Sequence, residues 1–219
     1  MRGSIGESGR PREAFHVKHS LARDGVSRET AEALDRFACL LLRWNRTVNL
    51  ISARDEAVLP DRHIADSLQL VPLMRPLPES AIDLGSGAGF PGLVLALATG
   101  VRFHLIEADQ RKAAFLQEAA RVTGAPVSVH PMRIETIRLP PTRLITARGL
   151  APLHRLLSLA APLLAPDGVC LFPKGAGAEV ELTHATTRWH MQVDCVPSRT
   201  AADACILRIS ELARVPSTA

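Results

Sequence analysis

The stretch that most constrains this chain is a glycine-rich segment at residues 81–92. It begins as a short apolar run, Ala81 to Leu84, interrupted only by Asp83, and four glycines follow within eight residues. The apolar run at 93–98 that comes next is long enough for a buried helix. A strand, a glycine turn and a helix in this order open a nucleotide-binding βαβ unit, because glycines permit positive φ and let a ligand approach the backbone.

Two acidic residues indicate which ligand this unit binds. Asp83 precedes the first glycine, where a carboxylate can hold a cationic amino-acid moiety but would repel a pyrophosphate. A second predicted strand ends at Glu107, about 20 residues after the glycines, where ribose hydroxyls are usually bound. An acid at both strand ends suits S-adenosylmethionine. The spacing at 87–92 also fits the dinucleotide fingerprint, so an NAD-type dehydrogenase is an alternative.

Composition indicates a cytoplasmic protein without membrane contact. The 219 residues allow one α/β domain with an extension, no apolar run is long enough to cross a bilayer, and the N-terminus lacks a signal-peptide core. The cysteines lie in apolar segments without C-x-x-C pairing, which predicts small core residues and no metal site. They are Cys39, Cys170, Cys195 and Cys205.

The choice of basic residues bears on the partner. The net charge is +4, and the 26 basic residues include only three lysines, which leaves 23 arginines. Arginine binds phosphate through two parallel hydrogen bonds, so the bias favours a nucleic-acid partner. A GC-rich genome would produce the same bias, and both explanations remain open at this point.

Hydrophobic periodicity divides the chain into four predicted parts: a flexible tail at 1–26, a helical subdomain at 27–78, an α/β core at 79–212 and a C-terminal tail at 213–219. The helical part is predicted to hold a helix from the N-cap Ser27 to about Trp44, a short helix near Asp55 and a third over 61–74. In the core the predicted strands are 80–84, 102–107, 127–130, 143–147, 168–172, 188–196 and 203–210, and the predicted helices are 91–98, 110–123, 152–164 and 178–185. Five parallel strands followed by an antiparallel pair are typical of the Rossmann-like, seven-stranded sheet of class I S-adenosylmethionine-dependent methyltransferases.

Several spaced motifs, taken together, resemble a known family. They are Trp44-Asn45 with Asn49-Leu50, Arg62-His63-Ile64 with Asp66-Ser67, the glycine segment 83–92, Arg133-Ile134-Glu135, Ala147-Arg148-Gly149 and Lys174-Gly175. Over about residues 35–210 the chain is similar to the glucose-inhibited division protein B family of bacteria. The resemblance implies methylation of N7 of guanine 527 in 16S rRNA, with S-adenosylmethionine as cofactor. It also implies the 30S subunit or its assembly intermediate as partner, and we expect a monomer.

Matching positions imply a set of site residues. For the cofactor these are Gly85, Phe90, Glu107, Ile134, Glu135 and Arg148, to which the glycine-loop argument adds Asp83 and Gly87. For RNA they are Asn49, Arg62, His63 and Lys174, with Arg148 and Lys174 positioning the substrate. Phe90 stands where the family commonly has leucine, and Glu107 where it has aspartate; both substitutions preserve the physical role.

Each assignment has a structural alternative. Asp83 could cap backbone N–H groups, and Glu107 could be the N-cap of the next helix. His63 and Asp66 are three residues apart, so they could form a helix-face pair without contacting RNA. Lys174 follows an apolar strand at the ligand-binding edge, but it could also be a solvated surface lysine.

The chemistry implied by the resemblance needs no general base. Guanine N7 carries an in-plane lone pair and no proton, so the enzyme's task is positioning, with the helical region covering the cleft. A dehydrogenase is disfavoured because only about 70 residues follow strand four, too few for a substrate domain. A non-catalytic RNA-binding module that retains the fold is the second alternative. The intact glycines and strand-end acids argue against it.

Overall fold

Seven strands form one sheet in the computed structural model, which describes residues 26–216. Their bounds are β1 Ser80–Leu84, β2 Arg102–Ile106, β3 Val127–His130, β4 Thr142–Thr146, β5 Leu164–Lys174, β6 Trp189–Pro197 and β7 Cys205–Arg214. The order across the sheet is β3-β2-β1-β4-β5-β7-β6. β7 is antiparallel to both of its neighbours and the other pairs are parallel. The predicted class I methyltransferase sheet is therefore confirmed.

Helices cover both faces of this sheet. They are α1 Arg28–Trp44, α2 Ala53–Glu56, α3 Ala65–Leu68, α4 Gly92–Thr99, α5 Gln110–Thr123, α6 Leu153–Ala160 and α7 Ala178–Thr186. Two of the helix starts follow local sequence signals. The Ser27 hydroxyl accepts from the Thr30 N–H, and the Asp109 carboxylate accepts from the N–H groups of Arg111 and Lys112. The predicted N-terminal helical extension is present.

The sheet separates two hydrophobic layers. On one face α1, α4 and α5 pack around the fully buried rings of Phe37, Phe103 and Phe115. On the other face α6 and α7 pack over the side chains of β4 and β5, among them Ile145 and Phe172. Because α1 contributes to the first layer, the helical extension and the sheet share one core. Within residues 26–216, no helix has the length and apolarity needed to span a bilayer.

Proline residues explain two of the differences from the predicted helices. The helix predicted over 61–74 is confirmed only in part: a π-helical turn at Pro60–Ile64 leads into the short α3, and a separate 3-10 turn follows at Val71–Met74. Pro72 lacks the N–H that would continue α3. The helix predicted over 152–164 gives way after Ala160 to a 3-10 turn, because Pro162 has the same effect.

The other differences concern boundaries and cysteines. β7 runs to Arg214, two residues beyond the predicted end of the core at 212. The predicted tail at 1–26 and the last residues of the C-terminal tail lie outside the described residues, apart from Val26, which packs against the core. The predicted burial of all four cysteines is wrong, since only Cys170 is buried. Cys39 lies on the solvent side of α1 and Cys195 on an edge strand.

Gly92, the first residue of α4, packs against the sheet too closely for a side chain. A Cβ there would lie 2.6 Å from Asp83 Cβ and 2.7 Å from Leu105 Cδ2, and both of these residues are fully buried. We expect Gly92→Ala to lower the free energy of unfolding by about 1–3 kcal/mol, measured by urea denaturation. Gly175→Ala is the control, because a Cβ there meets no atom within 4 Å. Equal shifts in the two variants would contradict this packing argument.

Candidate functional site

The strand order places the candidate site at the carboxyl ends of β1 and β4. The connections leave in opposite directions from these two neighbouring strands, and ligands of open α/β sheets bind in the crevice formed there. Two loops border this crevice. The glycine loop, residues 85–91, follows β1, and the β4–α6 loop, residues 147–152, follows β4.

The glycine loop is held against the end of β2. Gly85 and Gly87 have φ values of +64° and +55°. The Ser86 N–H donates to the Ile106 carbonyl at 3.0 Å, and the Gly87 N–H donates to Glu107 Oε2 at 2.8 Å. The second oxygen of Glu107 accepts from the Asp109 N–H at 2.8 Å. The structure therefore brings the predicted acid and the glycines together, and Asp109 rather than Glu107 is the N-cap of α5.

Asp83 lies behind the glycine loop. Its side chain is fully buried, and its carboxylate accepts from the Thr146 hydroxyl at 2.6 Å and from the Gly92 N–H at 3.3 Å. Burial raises the pKa of Asp83 to about 6. These contacts are those of the structural alternative, a carboxylate that caps backbone N–H groups. Through them Asp83 fixes the start of α4 and so the geometry of the loop.

Arg148, in the β4–α6 loop, is the centre of a cluster that joins the sheet to the helical extension. Its guanidinium donates to Asp66 Oδ2 at 3.0 Å and to His63 Nδ1 at 2.7 Å. It also lies over the Phe90 ring, 5.0 Å from the centroid, and His63 stacks on the same ring. The residues of the cluster come from three separate parts of the sequence. The cluster thus ties the glycine loop, the β4–α6 loop and α3 together.

The cluster holds His63 in its neutral form. Arginine is always a donor, so Nδ1 is the acceptor and the proton of the neutral ring is on Nε2. Burial, followed by the charge of Arg148, lowers the pKa of His63 to about 4. The predicted helix-face relation of His63 and Asp66 is realised here as shared contact with Arg148.

This low pKa predicts how stability depends on pH. Between about pH 6.5 and pH 4 the unfolded chain binds a proton at His63 that the folded chain excludes, so the stability present above pH 6.5 is lost as the pH falls. We expect wild type to lose about 1–3 kcal/mol more than His63→Gln over this interval. Urea denaturation across the pH series measures the difference. The exposed His154, changed to Gln, is the control, and parallel curves for wild type and His63→Gln would contradict the prediction.

A cavity of about 1090 Å³ opens beside the cluster. Its charged lining comes from α3 and the turn before it, the β4–α6 loop, the end of β5 and the β6–β7 hairpin. These charged residues are Asp61, Arg62, Asp66, Arg148, Lys174, Arg199 and Asp203. The hairpin is fastened to α3, because the Arg199 N–H donates to Gln69 Oε1 at 2.8 Å and the Thr200 hydroxyl donates to Asp66 Oδ1 at 2.8 Å. The hairpin wall of the cavity is thus tied to α3, and four basic and three acidic side chains border the cavity.

Lys174 borders this cavity, but its amine is bound within the protein. The Nζ atom pairs with Glu181 Oε2 at 2.8 Å and donates to the Ala151 carbonyl at 3.1 Å. The side chain is only 11% exposed. The amine of Lys174 is therefore neither solvated nor directed at a ligand. It contacts the β4–α6 loop through Ala151 instead.

The residues predicted nearer the RNA lie towards the surface. Arg62 is exposed at the cavity rim and pairs with Asp55 at 3.0 Å. Asn49 is exposed and is not part of the cavity wall. The neighbouring amide of the same motif, Asn45, has the structural role: its Oδ1 accepts from the N–H groups of Leu50 and Ile51.

The two residues predicted near the adenine follow β3, on the β2 side of the crevice. Ile134 opens a 3-10 turn at Ile134–Thr136 and is half-buried. Glu135 is exposed and pairs with Arg155 of α6 at 3.0 Å.

Phe90, predicted as a cofactor contact, directs its buried ring into the Arg148 cluster, so any contact with a ligand must come from its backbone.

Sequence reasoning missed three neighbours of these residues. Asp66 was within a quoted motif, but its role as the carboxylate partner of Arg148 depends on a contact across 82 residues. Leu150 lies over Gly85, where a Cβ would come within 2.6 Å of Leu150 Cδ1. Glu181 carries no sequence signal, because acidic residues are common on exposed helix faces. In the described part of the chain, no group of three or more His, Cys, Asp or Glu residues is arranged to hold a metal ion.

Comparisons with known proteins identify the family and the fold. Residues 30–204 match the model of the GidB family, described as rRNA small subunit methyltransferase G. The ribosomal RNA small subunit methyltransferase G of Granulibacter bethesdensis is 56% identical over 212 residues, which cover 92% of this chain and 100% of that protein.

Two solved structures share the fold. A putative O-methyltransferase from Klebsiella pneumoniae matches with a TM-score of 0.58 and 15% identity over 88% of this chain and 94% of that one. An O-methyltransferase from Bacillus cereus, solved in complex with SAH, matches with a TM-score of 0.56 and 14% identity over 89% and 96%. The chain therefore belongs to the GidB family of rRNA small subunit methyltransferases G.

Proposed function

We propose that this protein transfers the methyl group of S-adenosylmethionine to N7 of guanine 527 in 16S rRNA. It acts as a cytoplasmic monomer on the small ribosomal subunit or an assembly intermediate of it. The observation that carries the proposal is the junction of two surfaces at the carboxyl edge of the sheet. A glycine loop that is open at Gly87, beside Glu107, lies on one side. A cavity bordered by four basic and three acidic side chains lies on the other, with Arg148 between them.

The residues of the first surface fit the cofactor. A Cβ at Gly87 would meet nothing nearer than the Gly85 carbonyl oxygen at 3.8 Å, so the loop is open to a ligand at Gly87, whereas Leu150 covers it at Gly85. Glu107 lies at the end of β2, where it can accept from ribose hydroxyls. Ile134 and Glu135 are assigned to the adenine end. Asp83 supports the cofactor indirectly, by holding the loop and the start of α4.

The chemistry at guanine N7 depends on positioning. S-adenosylmethionine would supply an electrophilic methyl group there, and guanine N7 has a lone pair and no proton, so no residue has to act as a general base. The protein's residues therefore orient the base and exclude water. Arg148 is suited to orientation, because Asp66 and His63 fix its guanidinium at the boundary between loop and cavity, where it can donate to base or phosphate oxygens.

Outer contacts with RNA are assigned to the helical extension. Arg62 at the cavity rim can reach phosphate by giving up a surface ion pair with Asp55, which is weak in water. The exposed Asn49 is placed in the same role. Lys174 was predicted to contact the substrate as well, and its role is taken up in the next subsection.

Methyl transfer from radiolabelled S-adenosylmethionine tests the proposal. The substrates are naked 16S rRNA, assembly intermediates and mature 30S subunits, each prepared from cells that lack the modification. We expect label at N7 of one guanine, and its map position identifies the target. Label on another base or on protein, or no transfer to any of the three, would overturn the proposal. A melting-temperature increase with NADH but not with S-adenosylmethionine would instead support the dehydrogenase alternative.

A further inference from the structure

Glu181 of α7 reaches across to the start of α6. Its Oε2 accepts from the Leu153 N–H at 2.6 Å and pairs with Lys174 Nζ at 2.8 Å. The first N–H groups of a helix have no partner within the helix, and Pro152, which precedes α6, provides no side-chain cap. The carboxylate of Glu181 supplies this missing cap, and a negative charge is favoured at a helix N-terminus.

Lys174 contacts the same loop, and we call the Lys174–Glu181 ion pair with its bonds to Ala151 and Leu153 the clamp. Besides its ion pair with Glu181, its amine donates to the Ala151 carbonyl at 3.1 Å. The two side chains therefore hold Ala151 and Leu153, the residues on either side of Pro152. The side chain of Lys174 is 11% exposed and that of Glu181 is 30% exposed. This ion pair is therefore shielded from water more than an ion pair on the surface is.

The β4–α6 loop, which the clamp holds, carries Arg148 beside the cavity and Leu150 beside the glycine loop. Arg148 lies beside the cavity and is held by Asp66 at 3.0 Å. Leu150 lies on the glycine loop, directly over Gly85. Movement of the β4–α6 loop would therefore displace the guanidinium that faces the substrate and the apolar side chain that covers the cofactor loop.

We propose that Glu181 is a positioning residue for methyl transfer, and that Lys174 acts with it on the β4–α6 loop instead of binding RNA phosphate. This inference rests on the proposed function. Displacing a reacting group by about 1 Å can lower a rate about 100-fold. A clamp that fixes the loop thus affects turnover while it leaves RNA affinity largely to other basic residues.

The phosphate-binding role of Lys174 makes the opposite prediction for one variant. If Lys174 binds phosphate, Glu181→Gln removes a competing carboxylate and frees the ammonium group, so RNA affinity at low salt should rise and its salt dependence should steepen. If Lys174 and Glu181 form a clamp, Glu181→Gln should resemble Lys174→Met. Glutamine keeps an acceptor for the Leu153 N–H, so the variant tests the ion pair without removing the helix cap.

The experiment compares the full chain with Glu181→Gln, Lys174→Met, the double variant and the control Glu179→Gln, an exposed glutamate on the same helix. Methylation of unmodified 30S subunits is measured across a salt series. We expect Glu181→Gln and Lys174→Met each to lower kcat about tenfold with little change in KM or salt slope. The double variant should lose no more than either single variant, because both act on one loop.

Hydrogen exchange gives a readout that does not depend on activity. In the single variants we expect faster exchange of the backbone amides of 147–151 and 153, since Pro152 has none, and wild-type exchange in β1 and β4. Unchanged exchange at 147–153, or stronger RNA binding by Glu181→Gln, would overturn the clamp. A wild-type protein that methylates no small-subunit RNA would refute the proposed function, while the exchange measurement would still decide whether the clamp exists.

Discussion

Gly85→Val is expected to weaken binding of S-adenosylmethionine by at least about 100-fold, because two costs combine at this position. The first is backbone strain, since Gly85 has a φ of +64° and a β-branched residue resists that conformation. The second is occupied space. The new Cβ would lie 2.6 Å from Leu150 Cδ1, so the added side chain would have to displace Leu150 or shift the loop that holds the cofactor. Isothermal titration calorimetry measures the affinity directly.

A matched control separates strain from loss of the site. Gly100 ends α4 with a φ of +72°, and a Cβ there meets nothing within 4 Å. Gly100→Val therefore carries a similar backbone cost at a position away from the crevice. We expect both variants to lose stability and only Gly85→Val to lose cofactor binding. A folded Gly85→Val protein with wild-type affinity would remove the glycine loop from the cofactor site.

The glycine loop was predictable because its signals are local. Three signals follow one another within 20 residues: the apolar run of β1, the glycines and the apolar run of α4. The two runs are recognised by their apolar residues, and the turn is recognised by its glycines. Glu107 was predictable for the same reason, since an acid at the end of the neighbouring parallel strand must lie beside the loop. The helix predicted over 61–74 contains α3 but extends too far, because Pro72 lacks the N–H that an α-helix through this position needs.

Contacts between distant residues were not predictable in this way. That Lys174 is held by Glu181 and Ala151 follows from the packing of α7 against α6, which no local pattern records. The carboxylate of Asp83 was expected to face a ligand, but it lies under the start of α4 because Gly92 leaves room for it there. Sequence gives the residue types of a site at a sheet edge, whereas the direction of each side chain depends on its neighbours in space.

The second large effect is expected at Arg148. Arg148→Met should lower kcat/KM for methylation by about 100-fold or more, because the guanidinium is the fixed donor between the glycine loop and the cavity. The same change should also destabilise the fold. It leaves the carboxylate of Asp66, which is only 18% exposed, without its cation, and it removes the charge that lies over the Phe90 ring.

A second substitution separates these two effects. In Arg148→Met with Asp66→Asn the unpaired carboxylate is gone, so we expect the melting temperature to recover while methylation stays low. Arg143→Met is the matched control, since Arg143 forms an exposed ion pair with Asp167 at the opposite end of β4 and should tolerate the change. If the double variant regained both stability and activity, the Arg148 guanidinium would only hold the helical extension on the sheet. The donor to the substrate would then have to be sought among the other basic residues of the cavity, beginning with Arg62 and Arg199.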